Sequence, residues 1–178
     1  MDSDSLEYFR TIPQCADIIN RPGMKIGPSI PPRSHANPFV NQTLNQPDGL
    51  KHQLFLFRNE IDPQGALDRE GFAFLALGHG VTGQGDVAHG GFLSAMMDHV
   101  FGSFIRLTNL DQGLGMFTGA LNLLYHAPVF VPAVIIFSVK VARIERRKIY
   151  LDASIVDMRG DTCTTAEAIF VQKRPEGL

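Results

Sequence analysis

His89–Leu107, HGGFLSAMMDHVFGSFIRL, is the stretch from which the rest of the chain can be read. Phe92, Leu93, Ala95, Met96, Met97, Val100, Phe101, Phe104, Ile105 and Leu107 fall on almost every side of a 100° wheel, so a helix over this span must be buried all round. Something has to wrap it. Upstream lie His52–Ile61 (HQLFLFRNEI) and Gly71–Leu77 (GFAFLAL), two β-rich runs joined through the turn-forming DPQG at Asp62–Gly65. Downstream, Gly115–Tyr125, Ala133–Ile144, Ile149–Asp157 and Thr162–Val171 read as strands. Ile135, Phe137, Val139 and Val141 share one parity, as do Ile149, Leu151, Ala153 and Ile155. The ERRK and MRGD connections are short, so the strands they join are antiparallel neighbours. Two strands, one helix and four strands predict an α+β fold in which an antiparallel sheet curls around a central helix.

Outward from this core the character of the sequence changes. Seven of the eleven prolines lie in the first 47 residues, and a run such as GPSIPPRSHANP supports neither a helix interior nor a central strand. Residues 1–49 are therefore read as an extension and 50–178 as the domain. Within the extension, Ser5–Ile19 has near-helical apolar spacing, and a short helix packed on the main body is expected despite Pro13.

The 178 residues suffice for one domain with a real core, and 44% hydrophobic against 19% charged residues excludes a disordered chain. A net charge of −2 exerts no general pull on nucleic acid. Cys15 and Cys163 lie too far apart in sequence to suggest a disulfide scaffold or a Cys-rich metal site. The N-terminus, MDSDSLEYFR, is acidic where a targeting segment would be basic. The longest apolar stretch, Ala127–Phe137, contains two prolines and is too short to span a bilayer. A soluble cytoplasmic protein, without membrane insertion, is the expectation.

The chemistry concentrates where a glycine-dense loop, Gly78–Gly85, leads into the buried helix. His89-Gly90-Gly91 opens that helix, so unpaired N–H groups and the positive end of the helix dipole face whatever binds there, and glycine lets a ligand approach the backbone closely. This arrangement stabilises an oxyanion. Nine residues on, Asp98 interrupts the apolar helix, and a buried carboxylate without a partner is costly enough to require a reason. Nine steps place Asp98 about half a turn round and ~13 Å along from His89. One helix cannot easily bring Gly90 and Asp98 to the same reacting atom. Two antiparallel helices across a two-fold axis can, which predicts a homodimer with two shared sites.

The H-G-G-x7-D element, followed by TGALNLLYHAP (Thr118–Pro128) and RIERRKIYLDASIVDMRGDTCTTAEAIF, resembles the hotdog-fold acyl-CoA thioesterases of the phenylacetic-acid-degradation type and their eukaryotic thioesterase-superfamily relatives. The resemblance covers about residues 50–173. It implies a hotdog fold, subunits joined sheet edge to sheet edge, and an active site at the dimer interface. By position, it implies Asp98 as the catalytic carboxylate, attacking the thioester carbonyl or activating water, and Gly90 as the oxyanion N–H supplied from the partner chain. His89 would orient the loop or thioester, and Thr118 matches a threonine beside the attacking water in some relatives. Bacterial members often carry Asn six residues before the HGG histidine, where this chain has Gly83. Either Gln84 substitutes or His89 and Thr118 serve instead.

Around these, Gly91 completes the loop, and Phe92, Met96 and Met97 are candidates for an adaptable acyl-binding wall. Arg143, Arg146, Arg147 and Lys148 are the densest basic cluster, either a solvated hairpin tip or a site for coenzyme A phosphates. His99 is expected to serve in packing. Ser94 has no G-x-S-x-G elbow and no argued base. Asp86, His89 and His79 match no metal-ligand spacing, and Gly78–Gly85 lacks the Lys-Ser/Thr of a P-loop. The expectation is hydrolysis of an acyl-CoA or acyl-carrier thioester, with no cofactor beyond coenzyme A in the substrate and pairing of dimers into tetramers left open. The rivals are a hotdog hydratase or dehydratase, whose Asp-x-Asn-Pro-x-His element is not matched here, and a non-catalytic acyl-thioester binder or tailoring protein.

Overall fold

A computed structural model describes residues 3–28, 37–61 and 67–174. The chain opens with helices α1 (Ser3–Arg10) and α2 (Pro13–Ile19) and a short strand β1 (Lys25–Ile26). A π-helical turn at Phe39–Leu44 then leads into strands β2 (Leu50–Ile61) and β3 (Leu67–Leu77). A small hairpin, β4 (Thr82–Gln84) and β5 (Val87–Ala88), precedes the long helix α3 (Gly90–Leu107). Strands β6 (Met116–Tyr125), β7 (Ala133–Glu145), β8 (Lys148–Asp157) and β9 (Thr162–Gln172) complete it. The DPQG turn and most of the proline-rich run lie outside the described residues.

Seven strands form one antiparallel sheet in the order β1-β2-β3-β7-β8-β9-β6. Its inner face holds α3. Ile135, Phe137 and Val139 of β7, with Leu151 and Ile155 of β8, join Phe92, Met96, Met97, Phe101 and Phe104 of the helix in one buried cluster. Full burial of each such side chain contributes about 1.5–3 kcal/mol, which is why a helix apolar on all sides fits here. The shared parity of β7 and β8 survives in the register, with Phe137 opposite Ile155 and Val139 opposite Ala153.

The continuous apolar run of β3 has a separate cause. Ala73, Leu75 and Leu77 face α3, while Phe72, Phe74 and Ala76 face outward and are equally buried, because α1 and α2 cover them with Leu6, Phe9, Cys15, Ile18 and Ile19. The helix expected over Ser5–Ile19 is thus two helices. Pro13 lacks the N–H that an uninterrupted helix needs, so it instead begins α2 at a first-turn position.

Sequence neighbours are not sheet neighbours at the far edge. β7, β8 and β9 form the expected meander, but β6 pairs with β9 and closes the end of the sheet. Within β6 the register slips between Thr118 and Ala120, leaving Gly119 as a bulge. A one-residue bulge exchanges the faces of everything beyond it. Thr118 pairs with the inward Phe170, and past the bulge the inward set becomes Leu121, Leu123 and Tyr125, opposite Ala168, Ala166 and Thr164.

Candidate functional site

Strand β6 runs antiparallel to α3 and touches it at two places that matter chemically. At the helix entrance, His89 is the N-cap residue in extended conformation, and its Nδ1 accepts the Gly91 N–H at 2.8 Å. Such a cap stabilises a helix by about 1 kcal/mol. It also engages one of the first-turn N–H groups that no helix carbonyl can reach. Tyr125 Oη donates to the Gly90 carbonyl at 2.8 Å, tying the end of β6 to the start of the helix. His89, Gly91 and Tyr125 are exposed in the single chain.

Two turns further along α3, Asp98 is half-buried and its Oδ1 accepts the Thr118 hydroxyl at 2.6 Å. The bulge at Gly119 lets Thr118 face inward while Leu121, Leu123 and Tyr125 do so as well; an unbroken alternation from Thr118 would turn those three outward. A hydroxyl donating to a carboxylate is a charge-assisted bond. It engages Oδ1 of the carboxylate.

Asp98 and Thr118 line a cleft of about 340 Å³, together with Asn37, His99, Ser103, Asp111, Met116, Phe170 and Lys173 among others. His99 is buried as expected for packing, its ring edge-on to Phe55 at 5.6 Å, yet it is also wired into polar structure. The amide Nδ2 of Asn37 lies 3.0 Å from its Nδ1. An amide nitrogen only donates, so Nδ1 accepts and the proton of the neutral ring sits on Nε2. Burial, reinforced by Arg106 and opposed by Asp98, lowers the His99 pKa to about 4, so the ring is neutral at pH 7.

The other candidates distribute as follows. Phe92, Met96 and Met97 are packed into the core beneath the sheet and are not among the residues lining this cleft. Gln84 is exposed on the β4–β5 hairpin. A Cβ on the neighbouring Gly83 would lie 2.8 Å from His89 Cδ2, so the imidazole occupies the space a side chain at that position would need. Arg143, Arg146, Arg147 and Lys148 are all exposed at the β7–β8 hairpin. Arg143 is committed locally, stacked 3.5 Å over the Tyr150 ring and bonded to Glu145 at 2.7 Å, a bond that holds the Glu145 carboxyl below its ordinary range. Arg147 reaches the Gln172 carbonyl at 3.0 Å, and Gln172 pairs with Met116, so this basic tip lies at the cleft end of the sheet. His79 and Asp86 approach to 3.9 Å. Among the described residues no group of three potential His, Cys, Asp or Glu ligands gathers, and no helix is long and apolar enough to cross a membrane.

Sequence reasoning missed Tyr125, Ser103, Asn37, Asp111 and Lys173. Gly119, a glycine inside a β-rich run, was the one available signal that the strand is bulged.

A family model described as the thioesterase superfamily matches residues 85–164. No curated protein matches the chain significantly. Among solved structures, it is similar to the Escherichia coli PaaI protein from the phenylacetic acid degradation operon. That likeness runs at 16% identity over 61% of this chain and 77% of that one, with a TM-score of 0.53. A hypothetical thioesterase protein from Streptococcus pneumoniae, solved with coenzyme A, matches at 16% identity over 58% and 78% of the two chains, with a TM-score of 0.54. Hypothetical thioesterase structures from the same bacterium include mutants with an aspartate or a threonine changed to alanine. A further thioesterase-superfamily protein shares 23% identity over 66% of this chain and 55% of its own length, with a TM-score of 0.52. The antiparallel sheet around a long central helix is the hotdog fold, and the resemblance read from the HGG and aspartate pattern is to the same superfamily.

Proposed function

We propose that the chain is a homodimeric thioester hydrolase acting on an acyl-CoA or acyl-carrier substrate. The observation that carries this reading is the Thr118–Asp98 hydrogen bond at a cleft on the same helix that begins with His89-Gly90-Gly91. The superfamily match supports it, as does a structural relative solved with coenzyme A. Relatives with an aspartate or a threonine changed to alanine point to the same residue types.

The chemistry follows from the residues. Asp98, steadied through Oδ1 by Thr118, attacks the thioester carbonyl through Oδ2 or takes a proton from water that attacks it. The carbonyl oxygen becomes negative, and the partner's Gly90 donates its N–H to it at the positive end of a helix. His89, by capping Gly91, sets the direction of that amide. The C–S bond then breaks. A thiolate leaves readily and takes up a proton, either from the Asp98 carboxyl or, on the covalent path, from the water that hydrolyses the anhydride. No metal or redox cofactor is needed in this scheme. Arg146, Arg147 and Lys148, at the cleft end of the sheet, would meet the phosphates of coenzyme A. The two unpaired buried thiols, Cys15 and Cys163, suit a reducing, cytoplasmic setting.

The test is thiol release from a panel of aliphatic and aromatic acyl-CoAs by wild type and Asp98→Asn. The amide is isosteric and still accepts from Thr118, so fold and assembly should persist while turnover falls about 10²–10⁴-fold. Undiminished release by Asp98→Asn removes Asp98 from the mechanism. Hydration of an enoyl-CoA without thiol release, or binding without turnover, replaces the hydrolase reading.

A further inference from the structure

Residues 37–49, the last part of the N-terminal extension, reach the candidate site at two separate places. At one end, Asn37 is exposed and forms part of the cleft wall beside Asp98 and Thr118. Its Nδ2 donates to His99 Nδ1 at 3.0 Å, and its Oδ1 accepts the Val40 N–H at 3.4 Å. The backbone is left-handed there, φ 52°, a conformation asparagine tolerates better than most residues. Val40 is buried in the same cluster as α3, and Leu44 packs against that cluster, so the segment is fastened to the core.

At the other end, Asp48 and Gly49 hold the loop that leads toward the helix entrance. The Asp48 carboxylate accepts the His79 N–H at 3.0 Å, and its carbonyl accepts the Gly80 N–H at 2.6 Å. The Gly49 carbonyl accepts the Gly78 N–H at 2.7 Å. A Cβ at Gly78 or Gly80 would collide with the Asp48 carbonyl, so these two glycines are what lets the extension approach the loop. The loop continues to Val81, whose carbonyl accepts the His89 N–H at 2.8 Å. His89 in turn caps Gly91. The extension therefore holds the loop, the loop holds His89, and His89 holds the start of α3.

We propose that residues 37–49 are a working part of the active site, with Asn37 a specificity-determining wall of the cleft and Asp48 a positioning residue for the loop behind His89. The proposal rests on the thioester reading of the same site. Both residues lie outside 85–164, the part matched by the thioesterase-superfamily model, so the extension adds to the site what that segment does not supply. The two act on different quantities. Asp48 works through His89 and Gly91, which set the direction of the oxyanion amide for every substrate alike, so its loss lowers kcat whatever acyl group is bound. Asn37 borders the space beside Asp98, so its loss changes which acyl groups fit.

The experiment measures thiol release from butanoyl-CoA and decanoyl-CoA by full-length wild type, Asp48→Ala, Asp48→Asn and Asn37→Gly. Calorimetry gives Kd for the matching butyl- and decyl-CoA thioethers, and amide exchange is followed at His89 and Gly91. Asp48 is exposed and Asn37 has a φ that glycine favours, so all three variants should fold. Asp48→Ala should lower kcat about tenfold for both substrates with KM nearly unchanged, and should speed exchange at His89 and Gly91. Asp48→Asn keeps an acceptor oxygen and should restore most of both. Asn37→Gly should raise the decanoyl-to-butanoyl preference in kcat/KM, and the matching preference in Kd, about fivefold or more. Wild-type kcat in Asp48→Ala, a loss confined to KM, or an equal loss in Asp48→Asn overturns the role of Asp48. An unchanged preference in Asn37→Gly overturns that of Asn37. If wild type cleaves no thioester, the hydrolase reading fails, and amide exchange with the thioether Kd values still decides whether the extension shapes the site.

Discussion

Replacing Thr118 by Val removes one hydroxyl while preserving shape, and so isolates the 2.6 Å bond to Asp98. A hydrogen bond to a charged group contributes about 1.5–3 kcal/mol to stability. Because Asp98 is only half-buried and Thr118 is exposed in the single chain, the lower end applies, about 1–1.5 kcal/mol. In a chain of this length that corresponds to a fall in Tm of roughly 2–6 °C. The kinetic effect follows from the same number. If the bond orients the carboxylate for attack, losing it costs about tenfold in kcat, since 1.4 kcal/mol is one decade. The decisive assay is a double-mutant cycle of Thr118→Val and Asp98→Asn, read by thiol release and by thermal unfolding. Coupling of about 0.5–1.5 kcal/mol between the two sites is expected, and Thr118→Val should cost almost nothing further in turnover once Asp98 is gone. Wild-type kcat in Thr118→Val, or the same proportional loss in the Asp98→Asn background, would show that Thr118 does not act through Asp98.

Two further outcomes follow from the same elements. The unfolded His99 titrates near 6.5 and the folded one near 4, so below pH 6.5 the unfolded state gains protons first. Its share of stability is therefore present above 6.5 and lost as pH falls toward 4. Between pH 7.5 and 5 this amounts to about 2 kcal/mol in urea unfolding, and His99→Phe should flatten that part of the profile. Gly83→Ala sets a methyl against His89 Cδ2, where the Cβ separation would be 2.8 Å; it should displace the imidazole from Gly91 and cost the cap's contribution of about 1 kcal/mol. Turnover should drop with it, whereas wild-type stability and kinetics in Gly83→Ala would mean the ring has room to move.

What could be read in the sequence was what depends on local pattern. The central helix announced itself because ten apolar residues left it no polar face, and β7 and β8 because their alternation is strict. The order of strands did not, since pairing β6 with β9 instead of β7 depends on long-range closure that no neighbouring residue encodes. The break at Pro13 follows from its missing N–H, but the two-sided burial of β3 became explicable only once α1 and α2 were seen to cover it. At the site, Asp98 and the HGG entrance stood out as polar or glycine residues in apolar surroundings. The composition of the cleft did not. A helix apolar on all sides does not say which flank meets a cavity, so Met96 and Met97 were natural acyl-wall candidates although they point into the sheet, while His99 and Ser103 line the opening.

The edge strand β6 is where fold and site meet, and it supplies the sharpest test of a shared active site. Phe117 and Leu124 are 62% and 67% exposed on a strand that ends the sheet, an arrangement that invites pairing with another strand. In an antiparallel pairing of β6 with its own copy, centred on the strand, each Phe117 lies opposite the partner's Leu124. The double substitution Phe117→Lys/Leu124→Lys then sets like charges face to face and removes four apolar side chains per dimer from the seam. At about 1–2 kcal/mol for each partly exposed side chain, the association should weaken by roughly 10³–10⁶-fold in Kd. Sedimentation should report monomers, with helix content retained because neither residue belongs to the core. If Asp98 works with an amide from the opposite subunit, those monomers must lose thiol release in proportion to the dimer lost, and regain it at high protein concentration. A folded monomer that hydrolyses at the wild-type rate would mean that one chain contains the whole site, and the role given to the partner's Gly90 would be wrong.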